Sequence, residues 1–193
     1  MNNSFFAMIN RMKNINRWGL MRNVRTENIQ EHSHQTAVFA HALCVIASEK
    51  LGEKALSPER ACLLAVYHDA SEIYTGDLPT PIKYANDRIK DSYREIEKQA
   101  VGKLTESLPD YMKPSFLFLS EGEAEPEWKY VKAADTLSAY VKCLDEVGAG
   151  NLDFSCAKET LQKKLDTLCR TMPALRIFMD EFMNTFGTPL DSL

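Results

Sequence analysis

An imidazole and two carboxylates fall close together at His68, Asp69 and Glu72, directly after the apolar run Leu63 to Tyr67. Ionisable groups that end a buried run must be hydrogen-bonded, metal-bound or open to a cleft. Glu72 lies one helical turn past His68 and Asp69. If the helix continues, that spacing sets the three side chains on neighbouring faces. Carboxylates at a helix C-terminus meet the negative end of its dipole, and a divalent cation would offset that repulsion. Metal or substrate binding is therefore favoured over a core histidine beside surface acids. A further acid, Asp77, follows on Thr75-Gly76-Asp77-Leu78-Pro79-Thr80-Pro81, where two prolines and a glycine predict a rigid loop.

The other histidines are His32, His34 and His41. His32 and His34 are two residues apart and point to nearly opposite sides of a helix, so one of them, not both, suits a shared ion site. His41 stands mid-helix among Ala40, Ala42 and Leu43 and reads as core or surface. Asp135 lies at the margin of the stripe Ala134, Leu137, Val141 and Leu144. An acid there borders the interior and needs a partner. His32, His68, Asp69 and Asp135 make an N/N/O/O set that suits manganese, cobalt, iron or zinc. Arg17 offers a planar fork for phosphate, and Trp18 a large flat wall. Taken singly, Arg17 reads as surface and Trp18 as core packing.

The elements that must position these groups are helical. Apolar residues recur at helical spacing from Glu31 to Lys50, and Gly52 stops the run. Ser57-Pro58-Glu59 is a helix start, with an N-cap serine, a first-turn proline and an acid at the positive end of the dipole. That helix is expected to run through to Glu72. Asp87 to Leu108 reads as an exposed amphipathic helix. Ser120 to Glu127 reads as a solvated acidic loop. A long helix from Glu127 to Val147 and two more, Ser155 to Arg170 and Pro173 to Phe186, complete the chain. No Val/Ile alternation marks a sheet. The expected fold is all-α, a single bundle of about seven helices.

The chain has 193 residues, 45% hydrophobic and 26% charged, which suits a globular protein and excludes a disordered or fibrous one. The net charge of −4 gives no global attraction to a nucleic acid polymer or an anionic membrane. A local cation can still hold a phosphate. No apolar run is long enough for a signal peptide or a membrane span. The five cysteines are odd in number and lack C-x-x-C spacing, so they read as reduced thiols in a cytoplasmic protein.

Taken together, the H…HD…D pattern of His32, His68-Asp69 and Asp135 resembles the HD-domain superfamily of metal-dependent phosphohydrolases. The wider string is similar to the bacterial 5'-deoxynucleotidases. It comprises Arg17-Trp18, Met21 to Asn28, Glu31-His32-Ser33, Tyr67 to Glu72, Thr75 to Pro81 and Lys132 to Asp135. These blocks span about residues 17–150 of a single HD domain over 1–193, with the C-terminal helices of 151–193 completing the bundle. The resemblance implies hydrolysis of 2'-deoxyribonucleoside 5'-monophosphates. It implies one divalent ion, cobalt or manganese, on His32, His68, Asp69 and Asp135, and a homodimer. Glu72 and Asp77 are the implied catalytic groups. Arg17, Trp18, Asp77, Leu78, Pro79 and Thr80 are the implied substrate contacts, with His32, Asp69 and Asp135 bordering the same pocket. Trp18 would crowd out a ribose 2'-hydroxyl. Two other readings compete: an HD phosphohydrolase of dNTPs, cyclic nucleotides or ppGpp, and a non-catalytic nucleotide-binding helical module. Triphosphates would want several cations, and only Arg17, Arg22, Arg25 and Lys83 are candidates. A non-catalytic module would be expected to have lost part of the ligand set.

Overall fold

The computed structural model describes residues 3–83 and 86–192, apart from the Thr80 side chain. The helices are α1 (Phe5–Ile9), α2 (Ile29–Leu51), α3 (Pro58–Tyr67), α4 (Glu72–Thr75), α5 (Thr80–Lys83), α6 (Asp87–Glu106), α7 (Phe118–Glu121), α8 (Trp128–Gly148), α9 (Ser155–Cys169) and α10 (Pro173–Phe182). The all-α expectation holds: among the described residues the only β pairing is an isolated bridge, Asn16 to Asn28.

Local chemistry starts the two helices that matter most. Asn28 Oδ1 accepts from the Gln30 and Glu31 N–H groups, and Glu31 Oε2 accepts from the Asn28 N–H at 3.2 Å. This reciprocal cap fixes the start of α2, and Gly52 ends it at φ +77°. Ser57 caps α3 by accepting from the Arg60 N–H at 3.1 Å. The buried Glu127 carboxylate accepts from the Ser57 N–H at 2.9 Å.

α3 does not run on to Glu72 as its periodicity suggests. It ends at Tyr67, and His68 to Ser71 form tight turns. The His68 N–H bonds the Ala65 carbonyl three residues back, and its Nδ1 lies 2.7 Å from the same oxygen. Three-residue hydrogen bonds, Ala70 N–H to Tyr67, Glu72 N–H to Asp69 and Ile73 N–H to Ala70, then carry the chain into α4, so His68, Asp69 and Glu72 come from tightened turns and not from one continuous α-helix face. The stretch Thr75 to Pro81 is also not wholly a loop, because α5 begins at Thr80. The acidic run is solvated at Glu121 and Glu123, as expected, but is neither a loop nor exposed throughout. Glu125 pairs with Arg60 at 2.6 Å, Glu127 is buried, and Phe118 to Ala124 are helical turns.

The main core joins α2, α3, α8, α9 and α10 around Leu43, Leu64, Val131, Leu137, Leu165 and Leu175. α2 packs against both α3 and α8 within it. A smaller cluster of Phe5, Ala70, Leu104 and Leu108 pins the turns after α3 against α1 and α6. Both cores therefore bear on the segment that carries His68 and Asp69. The cysteines are all free, three of them buried. Among the described residues no helix is long and apolar enough to cross a membrane.

A buried ionic knot holds the loop that precedes α2. Glu146 of α8 pairs with Lys142, accepts from the Val24 and Arg25 N–H groups at 2.9 and 3.1 Å, and accepts from Asn151 at 2.6 Å. Burial raises a carboxylate's pKa, but these donors outweigh it and hold Glu146 at about 2, below its ordinary 4.5. A depressed acid stabilises the fold above its unfolded pKa and loses that contribution as pH falls through its folded one. Urea midpoints should therefore drop between pH 4.5 and 2. Glu146→Gln should flatten that drop and cost about 3 kcal/mol at neutral pH, because Lys142 is left buried without its counter-charge.

Candidate active site

Four of the expected side chains meet between α2, the tight turns after α3, and α8. His32 is fully buried on α2, and its Nε2 lies 3.2 Å from Asp135 Oδ1 and 3.7 Å from Asp69 Oδ2. His68 Nε2 lies 3.1 Å from Asp69 Oδ2. Ligand atoms of His32, His68 and Asp135 all fall within 4.8 Å of one another. His34 and His41 are exposed and turn away.

The outer nitrogens of both imidazoles are occupied. His68 Nδ1 donates to the Ala65 carbonyl. The Ser138 hydroxyl donates to Gln35 Oε1 at 2.7 Å, so it accepts from His32 Nδ1 at 3.1 Å. With each Nδ1 donating outward, each Nε2 faces the carboxylates and can hold either a proton or a metal ion. Either a proton on Nε2 or a cation between the groups offsets the charge of the acids. His68 Nε2 is buried without a hydrogen bond of acceptable geometry. This donor set fits a divalent ion.

The electrostatics agree. Burial disfavours charge on Asp69 and Asp135, yet both are held below the usual carboxylate range, Asp69 mainly by His68 and Asp135 mainly by Lys132 and His32. His32 is pushed down by burial and by Arg17. Burial also opposes charge on His68, but Asp69 and Asp135 prevail and raise it. The pocket thus favours positive charge between its acids.

Glu72 is different. It is 7% exposed, and its Oε2 has no hydrogen-bond partner. Burial, then Asp69 and Asp77, push its carboxyl up to about 10. These neighbours favour its protonated form, which can give up a proton. Gly76, at φ +70° and ψ 168°, turns the chain between α4 and Asp77, in a region that only glycine enters readily. Asp77 Oδ2 accepts from the Trp18 N–H at 3.3 Å, and burial raises the Asp77 carboxyl.

Arg17 and Trp18 form the opposite wall. Arg17 pairs with Glu27 at 2.7 Å, and Glu27 Oε2 also accepts from the Trp18 indole N–H at 3.2 Å. The indole packs on Phe154 with ring centroids 5.2 Å apart. Trp18 has φ +60°, alone among the described non-glycine residues. For so bulky a side chain this costs on the order of 1–3 kcal/mol and needs surrounding contacts to hold it.

Leu78 and Pro79 are half-buried beside Asp77, and the Thr80 side chain lies outside the described residues. Lys83 bonds Glu97 at 2.8 Å and Arg22 faces Asp153 at 3.8 Å. Sequence reasoning gave no role to Glu27, Ser138, Gln35 or Phe154. Only Ser138, one turn past Asp135 on α8, carried a signal that spacing could have exposed.

The sequence model of the YfbR-like 5'-deoxynucleotidases matches residues 4–186. The 5'-deoxynucleotidase YfbR of Salmonella paratyphi B is 50% identical over 191 residues, covering 98% of this chain and 94% of that protein. An HD-domain phosphohydrolase from Listeria innocua superposes with a TM-score of 0.82 at 21% identity, over 97% of this chain and 90% of the other. The HD phosphohydrolase DatZ of cyanophage S-2L, solved with dA and one catalytic Zn2+, superposes at 0.67 and 22% identity, over 95% and 96%. The folds agree, and the full-length sequence match carries the assignment: the chain belongs to the YfbR-like 5'-deoxynucleotidase family.

Proposed function

We propose that the protein is a metal-dependent 5'-deoxynucleotidase that converts 2'-deoxyribonucleoside 5'-monophosphates to deoxynucleoside and phosphate. The observation that carries this reading is the pair of Nε2 atoms turned onto Asp69 and Asp135, with Glu72 beside them. Half-identity to a curated 5'-deoxynucleotidase over nearly the whole chain supports the substrate class. His32, His68, Asp69 and Asp135 would hold one divalent ion, for which we favour cobalt or manganese. Such an ion, when bound, acts as a Lewis acid toward phosphate and lowers the pKa of a water.

The chain's own residues do the rest. Arg17 presents its guanidinium to the phosphate and stays charged: burial opposes that charge, but Glu27 and then Asp69 outweigh it. Glu72 holds a proton at its carboxyl and delivers it to the departing sugar O5'. Asp77, on the turn after Gly76, fixes the Trp18 backbone and faces the sugar 3'-hydroxyl. Trp18 fills the space that a 2'-hydroxyl would need. Leu78, Pro79 and the Thr80 backbone line the sugar.

The triphosphatase reading is weaker, because Lys83 and Arg22 each already face an acid. A non-catalytic module is disfavoured by the assembled acid and ligand set. We read the protein as one HD domain, cytoplasmic in keeping with its free cysteines, and homodimeric. Ile89 and Ile96, two turns apart and exposed on α6, offer a second copy an apolar face.

Two measurements bear on this. Hydrolysis of dAMP should give deoxyadenosine and inorganic phosphate in equal amounts and stop with chelator. Release of triphosphate from dATP, with none from dAMP, would transfer the protein to the triphosphatase class. Ser138→Ala removes the acceptor that orients His32 and should weaken metal affinity about 10- to 100-fold, read by titration into chelator-stripped protein.

A further inference from the structure

The wall formed by Arg17 and Trp18 rests on one carboxylate. The chain segments on either side of it are tied together: the Arg17 N–H donates to the Glu27 carbonyl at 2.9 Å and the Ile29 N–H to the Ile15 carbonyl at 2.9 Å, around the Asn16 to Asn28 bridge. The backbone thus sets Glu27 directly beside Arg17. One oxygen, Glu27 Oε2, then accepts from both Arg17 Nη1 and Trp18 Nε1. The guanidinium also lies 5.7 Å from the centre of the indole ring. Both side chains of the ion pair are largely buried, 12% and 13% exposed, so the contact is little screened by water.

Two facts make this more than packing. Trp18 is in the left-handed region, from which it will relax unless held. Arg17 has other acids to choose from, since Asp69, Asp135 and Asp77 all act on it. Without Glu27, the guanidinium is free to turn to the acids of the ion site, and the indole loses its only polar anchor.

We propose that Glu27 is a positioning residue for substrate discrimination: one carboxylate oxygen locks the phosphate-binding guanidinium and the sugar-screening indole into a single arrangement. This rests on the reading that Trp18 screens the sugar. Glu27 touches no reacting atom, and its effect passes through Arg17 and Trp18.

The test compares Glu27→Ala, Glu27→Gln and Trp18→Ala in hydrolysis of dAMP and AMP. Acrylamide quenching of Trp18 is read in parallel in a Trp128→Phe background. Glu27→Ala should lower the dAMP-over-AMP preference in kcat/KM at least about tenfold, the size expected for losing a hydrogen bond to a charged group. It should also raise quenching of Trp18. Glu27→Gln keeps an acceptor for the indole and should retain most of the preference. It loses the charge that holds Arg17, so KM for dAMP should rise about tenfold. A folded Glu27→Ala with wild-type preference and wild-type quenching overturns the proposal. If Glu27→Ala does not fold, a wild-type KM for dAMP in Glu27→Gln overturns it. Raised quenching in Glu27→Ala, with preference unmoved there and in Trp18→Ala, overturns the sugar-screening reading and the discrimination role together, while leaving Glu27 as the anchor of the indole.

Discussion

Glu72→Gln should lower kcat on dAMP by about 10²- to 10⁴-fold, the range lost when a general acid is removed, with metal content unchanged. Glutamine has the same shape and, like the protonated Glu72, no charge. It cannot release a proton to the departing oxygen. The folded structure should tolerate it, since Glu72 Oε2 has no partner to lose. The sign of the pH effect is also set. An acid raised from its ordinary 4.5 to about 10 in the fold stabilises below 4.5 and loses that contribution as pH climbs toward 10. Metal-free wild-type protein should therefore lose stability across that window, and metal-free Glu72→Gln should lose less. A variant within a few-fold of wild-type kcat would remove Glu72 from the proton transfer.

Asp135→Ala should lose activity by at least about a thousandfold, because a bound cation supplies several kcal/mol of charge stabilisation to a phosphoryl transfer. The loss should be traceable to the ion. Wild-type protein dialysed against cobalt or manganese should retain about one ion per chain and gain about 2.7 kcal/mol of stability at a hundred times the dissociation constant. Asp135→Ala should retain no ion and gain nothing. Two oxygens and two nitrogens hold the site as read here, and Asp135 is the only one of them on α8, opposite His32 at 3.2 Å. Full occupancy with full activity in Asp135→Ala would show that the ion is held elsewhere.

How much of this was readable beforehand differs residue by residue. Helix starts were legible because their signals are local: Ser57-Pro58-Glu59 needs only its own turn, and the stop at Gly52 needs only its own φ. The tightened turns after Tyr67 were not. Whether a helix continues past His68 turns on an imidazole bonding back to Ala65 and on Ala70 packing into a second core with Phe5 and Leu104. Periodicity cannot report such choices.

The ligand candidates were legible as residue types. Their assembly was not, because the pairing of His32 with Ser138 spans 106 positions and depends on the register of α2 against α8. Trp18 was singled out as a wall. Its left-handed backbone is held at the N–H by Asp77, 59 residues away, and its indole by Glu27, and no local signal encodes the first of these. Glu127 shows the opposite failure. It lies in an acid-rich run that reads as solvated, yet its carboxylate is buried to hold the Ser57 N–H.

The most direct test of the account is phosphate release by chelator-stripped protein offered dAMP, AMP and dATP, with cobalt, manganese, magnesium or zinc restored in turn. The account predicts no release without metal, rapid release from dAMP once cobalt or manganese is restored, and little from AMP or dATP. Release from dAMP that survives complete removal of metal, or no release from dAMP with any of the four ions, would contradict it.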